Sequence, residues 1–490
     1  MKTIAASWVP WLASAALLTL AFPPFNLWPL VFVALVPWLA TLKHTSPKHA
    51  FWQGYGFGFV YFGYQMFWLI PFVGRWTGSL GLGLAPWFVC MFLAGWFYAL
   101  CAWLMARGLS RGWAWAVPLA WAAIEAFRAY IPGLAFPWAN ISLPLAKFPA
   151  LAQLGAFGTM FLVSAWVVVF NIGVAALWKK EGWDEGWKRH AQTALAVFFV
   201  GLGVSLVRYS FPSRGGEAKF TLGQPGVDMA FTTPDDEHRQ LTAATAQILP
   251  EAERQGTRLL ILPEGYAGEV YGSEPVTPLG PAPLIPVVMG AHRMLPESSY
   301  QTAFLWDGSK WSYADKTRLV VFGEYVPLRE QLPFLKDFNI GAADISAAPE
   351  LKTLRFHDMK IGQLICFEGV FPDLAASHCD NGAQVLVQMS IDDWYESTPA
   401  YEQLWMSSIW RSIESGLPLL RVGARGKSLA TDSRGNLVAD VPVGVRAAQE
   451  AMVMVPSGSD AFGGRMGFLG VFWLSAVAVG VWPRRKQAIS

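Results

Sequence analysis

The 490-residue sequence predicts a multi-pass α-helical membrane domain of eight spans with an inserted α/β domain. Three observations predict it. Hydrophobic residues make up 53% of the chain and charged residues 15%, against about 25% charged in an average soluble protein. The charges are also unevenly placed. Residues 1–208 are nearly all apolar, 214–458 have an ordinary globular composition, and an apolar run closes the chain before Pro483-Arg484-Arg485-Lys486. Within the polar stretch, short β-rich runs alternate with helical ones, as in a layered α/β domain. This composition excludes a wholly soluble, disordered or fibrous chain. A net charge of +2 gives no electrostatic case for nucleic acid as a partner.

A membrane helix needs about 20 mostly apolar residues. Such runs lie at 5–22, 26–42, 51–73, 81–104, 113–131, 151–178, 190–208 and 462–482. The first has Lys2 and small residues, as a signal peptide would, but Phe22-Pro23-Pro24-Phe25-Asn26 leads straight into another apolar run. It reads as a retained helix. On one side of the spans stand Lys2, Lys43, Lys48, Arg107, Arg111, Lys179, Lys180, Lys188, Arg189, Arg484, Arg485 and Lys486, against Arg75 and Arg128 in the short loops opposite. The positive-inside rule then puts both termini in the cytoplasm and the polar domain across the membrane, in the periplasm of a bacterium with an outer membrane. Residues 1–213 hold seven spans, 214–458 the polar domain, and 459–490 the eighth span and a basic tail.

The polar domain opens with a strand-like run, Lys219–Phe231. Thr233-Pro234-Asp235-Asp236 has the cap and acidic first turn of a helix that runs to about Gln255. Arg258-Leu259-Leu260-Ile261-Leu262 is a short strand ending at Pro263-Glu264. Further strands are expected at 285–291, 301–306, 360–366, 384–389 and 419–422, with a helix across 400–415. The four cysteines, Cys90, Cys101, Cys366 and Cys379, are too few for a disulfide framework and lack zinc spacing.

Three residues each stand just past an expected strand. Glu264 follows Leu-Leu-Ile-Leu-Pro, Lys316 follows Trp311-Ser312-Tyr313-Ala314-Asp315, and Cys366 follows Ile361-Gly362-Gln363-Leu364-Ile365. Ligands of α/β sheets bind beyond the carboxyl ends of strands, so the placement suits a shared site. A thiol is a good nucleophile only as thiolate and needs a base or cation beside it. A carboxylate can take its proton, and an ammonium can stabilise the oxyanion that follows. Taken singly, each residue also has an ordinary reading, as a packed thiol or a solvated charge.

The flanking residues add a resemblance. Leu-Pro-Glu264-Gly, Asp-Lys316-Thr-Arg-Leu-Val-Val-Phe-Gly-Glu324-Tyr-Val-Pro and Ile-Cys366-Phe-Glu368 resemble the Glu-Lys-Cys motifs of the nitrilase superfamily. More narrowly they resemble the apolipoprotein N-acyltransferases, as do Leu20–Asn26, Phe136-Pro137-Trp138, Ser390, Asp392, Trp394 and Leu417–Arg421. The resemblance covers essentially the whole chain. It implies a nitrilase-like αββα sandwich with Glu264 as general base, Lys316 as oxyanion stabiliser and Cys366 as nucleophile. Glu324 and Glu368 would orient Lys316 or the thiol. The implied reaction moves an acyl chain from a membrane phospholipid, through a Cys366 thioester, to the α-amine of a lipoprotein's diacylglyceryl-cysteine. It needs no ATP, metal or organic cofactor, and a monomer would suffice. Tyr266, Trp394 and Tyr395 would line the acyl groove. The segment Pro327–Pro349, with Leu332, Phe334, Leu335 and Phe338, would form an apolar lid.

Several positions depart from that pattern. Tyr300-Gln301-Thr302 stands for Tyr-Asn-Ser, Ser390-Ile391-Asp392-Asp393-Trp394 for Ser-Asn-Asp-Ala-Trp, and Gly423-Ala424-Arg425-Gly426 for a Thr-Asn-rich turn. These changes bear on the acceptor and leave the three reactive residues intact. Two other readings remain: a membrane-anchored amidase in which water takes the thioester, or a divergent relative acting on another acceptor, such as those that accompany conjugative transfer.

Overall fold

The computed structural model describes residues 2–178, 185–275, 279–280, 282–321, 323–326, 329, 345–395, 398–461 and 467–481. The chain divides into two compact units, Met1–Arg208 with Met466–Ser490, and Tyr209–Arg465.

The first unit is helical. Its elements are α1 (Lys2–Leu20), α2 (Val36–Leu42), α3 (Pro47–Gln65), α4 (Leu69–Thr77), α5 (Leu80–Leu109), α6 (Ala116–Tyr130), α7 (Pro149–Ala152), α8 (Gly155–Trp178) and α9 (Glu185–Ser210), and α13 (Gly467–Val481) returns to it at the end of the chain. Helices α3 and α5 meet backbone to backbone, which small residues allow. A Cβ on Gly54 would stand 2.2 Å from the Tyr98 carbonyl oxygen, and one on Gly58 2.7 Å from that of Ala94.

Among the described residues, three helices are long and apolar enough to cross a membrane: Leu80–Leu109, Gly155–Trp178 and Gly186–Ser210. The pair Pro47–Gln65 and Leu69–Thr77, bent by 49°, makes a fourth if taken as one span. The eight expected runs therefore do not all appear as long helices. The run 26–42 breaks into a 3-10 turn, Trp28–Phe32, followed by α2. Backbone groups freed at such a break need partners where water is scarce. Asn171 of α8 supplies them, accepting from Leu35 N at 2.9 Å and donating to the Val31 carbonyl at 2.8 Å. Arg128 also departs from expectation. It lies inside α6, 4% exposed, and donates to Asn140 Oδ1 at 2.7 Å. Glu125, one turn earlier and fully buried, accepts from Ile141 N at 2.8 Å and from the Trp121 indole at 2.9 Å. Together the two side chains fasten the non-helical segment after α6 to that helix.

The second unit is a four-layer α/β sandwich. One sheet runs in the order β13-β1-β2-β4-β5-β6: β1 (Gly215–Gln224), β2 (Leu259–Ile261), β4 (Val287–Met294), β5 (Ser299–Trp306), β6 (Trp311–Asp315) and β13 (Ala447–Pro456), with β3 (Glu269–Tyr271) on β4. The other runs β12-β11-β10-β9-β8-β7: β7 (Leu354–Phe356), β8 (Met359–Ile365), β9 (Val385–Ser390), β10 (Leu419–Gly423), β11 (Ser428–Thr431) and β12 (Leu437–Val441). The central pairs β1–β2, β2–β4, β8–β9 and β9–β10 are parallel.

Side-chain alternation builds the layers. In β2, Leu259 and Ile261 join the core between the sheets, while Leu260 and Leu262 face α10 (Pro234–Gln255) with Leu241 and Ile248. In β9, Val385, Val387 and Met389 point between the sheets and Leu386 points outward, with Leu417 and Ala375 of α11 (Pro372–Asp380). Helix α12 (Pro399–Ser415) packs beside α11. The expected strands and both helices are present. The first strand, expected to Phe231, stops at Gln224. There Pro225 removes a donor and Gly226, at φ +67°, turns the chain.

Candidate active site

Strands β2, β4 and β6 run in one direction, because β5 is antiparallel to both β4 and β6. Glu264 and Lys316, which follow β2 and β6, therefore emerge at the same edge of the first sheet. Cys366 follows β8 of the second sheet, and the face-to-face packing brings the three together. Glu264 is 4% exposed and the Lys316 side chain is wholly buried. The Cys366 thiol and the Glu264 carboxylate stand close enough to act on each other's ionisation. Gly290 lets Glu264 pass close by, since a Cβ there would lie 2.5 Å from the Glu264 Cα.

Cys366 opens a short 3-10 turn, Cys366–Val370, directly after β8, with φ at +54°. Left-handed backbone at a side chain with a Cβ costs on the order of 1–3 kcal/mol, and such strain gathers at reactive positions. Gln388 Nε2 donates to the Cys366 carbonyl at 2.9 Å and helps to hold the turn.

Each expected supporting residue has a distinct task. Lys316 Nζ donates to Glu324 Oε1 at 2.6 Å, and Glu324 Oε2 accepts from Val320 N at 2.8 Å. Glu368 links backbone to backbone. Its Oε1 accepts from Thr317 N at 2.8 Å, Thr317 Oγ1 at 3.0 Å and Arg318 N at 3.0 Å, while Oε2 accepts from Ile365 N at 2.9 Å. The loop carrying Lys316 and the turn carrying Cys366 are thus tied through one buried carboxylate. Below Lys316, Arg293 grips Asp315 at 3.0 and 2.5 Å, and Thr302 Oγ1 donates to Asp315 at 2.6 Å.

Burial pushes the Glu264 carboxyl up to about 7; the Lys316 charge draws it down, Glu324 raises it again, and the Ile391 N–H at 3.1 Å and the thiol draw it down. Burial likewise raises the Cys366 thiol, with Glu264 adding to the rise and Lys316 opposing it. Burial alone would lower Lys316, but Glu324 and the other nearby acids outweigh it and hold the ammonium charged. At rest the site therefore holds a neutral thiol, a base that titrates near neutrality and a fixed cation.

The remaining expectations fare unequally. Tyr395 is buried near Cys366, and burial, with the acids around it, raises its hydroxyl. Trp394 packs edge-on against Phe231, with ring centroids 5.4 Å apart. Tyr266 is not at the site. Its ring lies in the core under α10, and its hydroxyl bonds Thr245, because the Gly265 turn aims the side chain away from the edge. The lid residues Leu332, Phe334, Leu335 and Phe338 lie outside the described residues. Beyond them, Ile345 N donates to the Glu324 carbonyl at 3.1 Å and Ala348 N to that of Lys316 at 2.8 Å. Sequence reasoning gave no role to the buried pair Arg421–Asp392, in which Nη2 meets both carboxylate oxygens at 2.7 Å. That pair fixes the turn whose Ile391 N–H reaches Glu264. Its signal was a charge, Arg421, inside an otherwise apolar strand run, with Asp392 two residues past the end of another. Among the described residues, no three His, Cys, Asp or Glu side chains are grouped as a metal would require.

The family model described as Carbon-nitrogen hydrolase matches residues 285–446. A second model, Apolipoprotein N-acyltransferase N-terminal domain, matches residues 14–173. Relatives named apolipoprotein N-acyltransferase match nearly end to end. The Geobacter metallireducens protein is 28% identical over 468 residues, covering 88% of this chain and 86% of its own. That of Pseudomonas putida is 27% identical over 457 residues, covering 88% and 87%. Over most of its length the chain is thus similar to proteins named apolipoprotein N-acyltransferase. Among solved structures, Saccharomyces cerevisiae Nit3, a nitrilase superfamily member, aligns at 19% identity and TM-score 0.39, covering 56% of this chain and 98% of its own. A Helicobacter pylori carbon-nitrogen hydrolase aligns at 13% identity and TM-score 0.36, covering 53% and 94%.

Proposed function

We propose that this protein transfers a fatty acyl chain from a membrane phospholipid to the N-terminal α-amine of a lipoprotein's diacylglyceryl-cysteine, through a thioester on Cys366. Glu264 takes the thiol proton as Sγ attacks the ester carbonyl of the phospholipid. The resulting oxyanion faces the Lys316 ammonium. Collapse expels the lysophospholipid alkoxide, which recovers the proton from Glu264. In the second half, the acceptor amine attacks the thioester and gives a proton to Glu264, which returns it to the departing thiolate. The energy of the thioester drives the amide bond, so the residues already present suffice.

The observation that carries this reading is the convergence of Glu264, Lys316 and Cys366 in one buried site, within a chain related over most of its length to proteins of that name. The raised thiol supports coupled base catalysis over a standing thiolate.

The same reading sets the chain in a bacterial inner membrane with eight spans, cytoplasmic termini and a periplasmic catalytic domain. Helical segment 1–213, catalytic domain 214–458 and closing segment 459–490 are its parts. The contact boundaries at 208 and 465, the further apolar helices Trp8–Leu20 and Val471–Val481, and the broken apolar segment Trp28–Leu42 support it.

The test incubates purified protein with phosphatidylethanolamine in detergent and measures intact mass, with Cys366→Ala as control. An acyl adduct that hydroxylamine removes, on the native protein alone, is the expected result. Bound lipid with no adduct overturns the reading.

A further inference from the structure

Ile391, the first residue after β9, meets Glu264 in two ways. Its N–H donates to Glu264 Oε2 at 3.1 Å. Its side chain lies on the turn that carries the same carboxyl. A Cβ on Gly265 would stand 3.1 Å from Ile391 Cδ1 and 3.1 Å from Met229 Cε. Gly265 follows Glu264 directly and sits at φ +74°, so Ile391 and Met229 form an apolar cover on the turn of the base itself. Ile391 is also a position where the sequence departs from the pattern it resembles, with an apolar side chain in place of an amide.

Both neighbours of Ile391 are held. Before it, the Ser390 carbonyl accepts from Ala424 N at 3.1 Å, and Ser390 Oγ donates to Asp392 Oδ1 at 2.6 Å. After it, Asp392 takes Arg421 Nη2 on both oxygens at 2.7 Å. Arg421 is 1% exposed, and its Nη1 is fixed in turn on the Lys427 carbonyl at 2.6 Å. Gly426 closes over the pair, since a Cβ there would stand 2.2 Å from Asp392 Oδ2. Met229 is tied to the same stretch, because its N–H donates to Asp393 at 3.1 Å. The other groups facing Glu264 come from different segments. They are the Lys316 ammonium after β6, the Cys366 thiol after β8, and Glu324, with Tyr395 buried nearby. Burial acts most strongly on the carboxyl, and the Ile391 N–H opposes it.

We propose that Ile391 is a positioning residue for the general base: its N–H fixes the Glu264 carboxylate, and its side chain keeps that carboxylate dry. The proposal deepens the acyl-transfer reading and rests on it for the reaction that Glu264 serves. The side chain and the main chain of one residue thus pull the base in opposite directions. An apolar side chain at 391 sets the base to work near neutrality, where an amide would set it to work in more acid conditions.

The experiment follows thioester formation from phosphatidylethanolamine against pH, by intact mass, on full-length protein in detergent. Ile391→Asn brings an amide that can donate to the carboxylate, and the midpoint of the profile should fall by about one pH unit. The paired variant Asp392→Asn with Arg421→Met removes two buried charges together and frees the turn. Its midpoint should rise, because the N–H no longer holds the carboxylate. Opposite shifts from adjacent residues separate this role from a merely structural one, since loss of folded protein lowers the rate at every pH alike. Ile391→Asn decides the matter if the paired variant does not fold, because residue 391 is only partly buried. An unmoved midpoint in Ile391→Asn, or a lower one in a folded paired variant, would overturn the proposal. Alkylation of Cys366 by iodoacetamide needs no lipid and should show the same shifts. A protein that shows them yet forms no thioester would overturn the acyl-transfer reading and leave the role of Ile391 standing.

Discussion

The two units both bury charge, and they use it differently. In the helical unit, Glu125, Arg128 and Asn171 spend their hydrogen bonds on segments where helices break. In the α/β unit, Glu264, Lys316, Glu324 and Glu368 bond to one another or to the loops that carry them. Burial in the first case completes a backbone. In the second it shifts an acid, because a low-polarity surround moves the Glu264 carboxyl to about 7, which is what the proposed reaction would use.

The largest expected effect tests the second half of that contrast. Glu264→Gln should lower the rate of thioester formation by about 10²–10⁴-fold, the usual contribution of a general base, with little change in melting temperature. A variant that instead unfolds would make Glu264 a structural acid and break the comparison. Glu368→Gln should reduce the rate by up to about 10²-fold, since an error of about 1 Å between Lys316 and Cys366 is enough for that. Its apparent KM and the midpoint of its pH profile should hold, as befits a residue that positions other groups.

The pH dependence sharpens the same point. Glu264 must be unprotonated to accept the thiol proton, so the acylation rate should climb with pH through about 7. A midpoint in the ordinary carboxyl range would mean that the working site is wet. In the helical unit, Asn171→Leu should cost about 1–3 kcal/mol of stability, because it strands buried backbone groups. Thioester formation per folded molecule should be unchanged, and thermal melts in detergent beside the intact-mass assay separate the two. The smallest effect belongs to the Arg318–Asp373 pair, bonded at 3.1 and 2.7 Å but partly exposed. Arg318→Gln should cost less than about 1 kcal/mol.

Much of the α/β unit was legible in the sequence. Its central strands are short, near-continuous apolar runs that end in turn residues, so the places just beyond them stood out, and with them Glu264, Lys316 and Cys366. The helical unit was legible in composition and poorly legible in its breaks. The run 26–42 carries Pro29 and Pro37 at the starts of its two short helices, but the partner that satisfies the break, Asn171, lies more than a hundred residues away in the chain. Tyr266 failed for a related reason: sequence places a residue beside an edge, but local backbone decides which way its ring points. Glu368 was legible as a helper but not in its task, because its partners Thr317, Arg318 and Ile365 are reached through their backbones.

The left-handed backbone of Cys366 has a consequence for how this molecule could decay. Glycine adopts φ near +54° freely, whereas any residue with a Cβ is held there against its preference. Cys366→Gly should therefore melt above Cys366→Ala, although both lack the sulfur. The scaffold would stand more easily without the Cys366 side chain, so under the proposed reaction a thiol there serves turnover and not folding. A lineage released from the need for the reaction should lose residue 366 early and keep the sandwich around it for much longer.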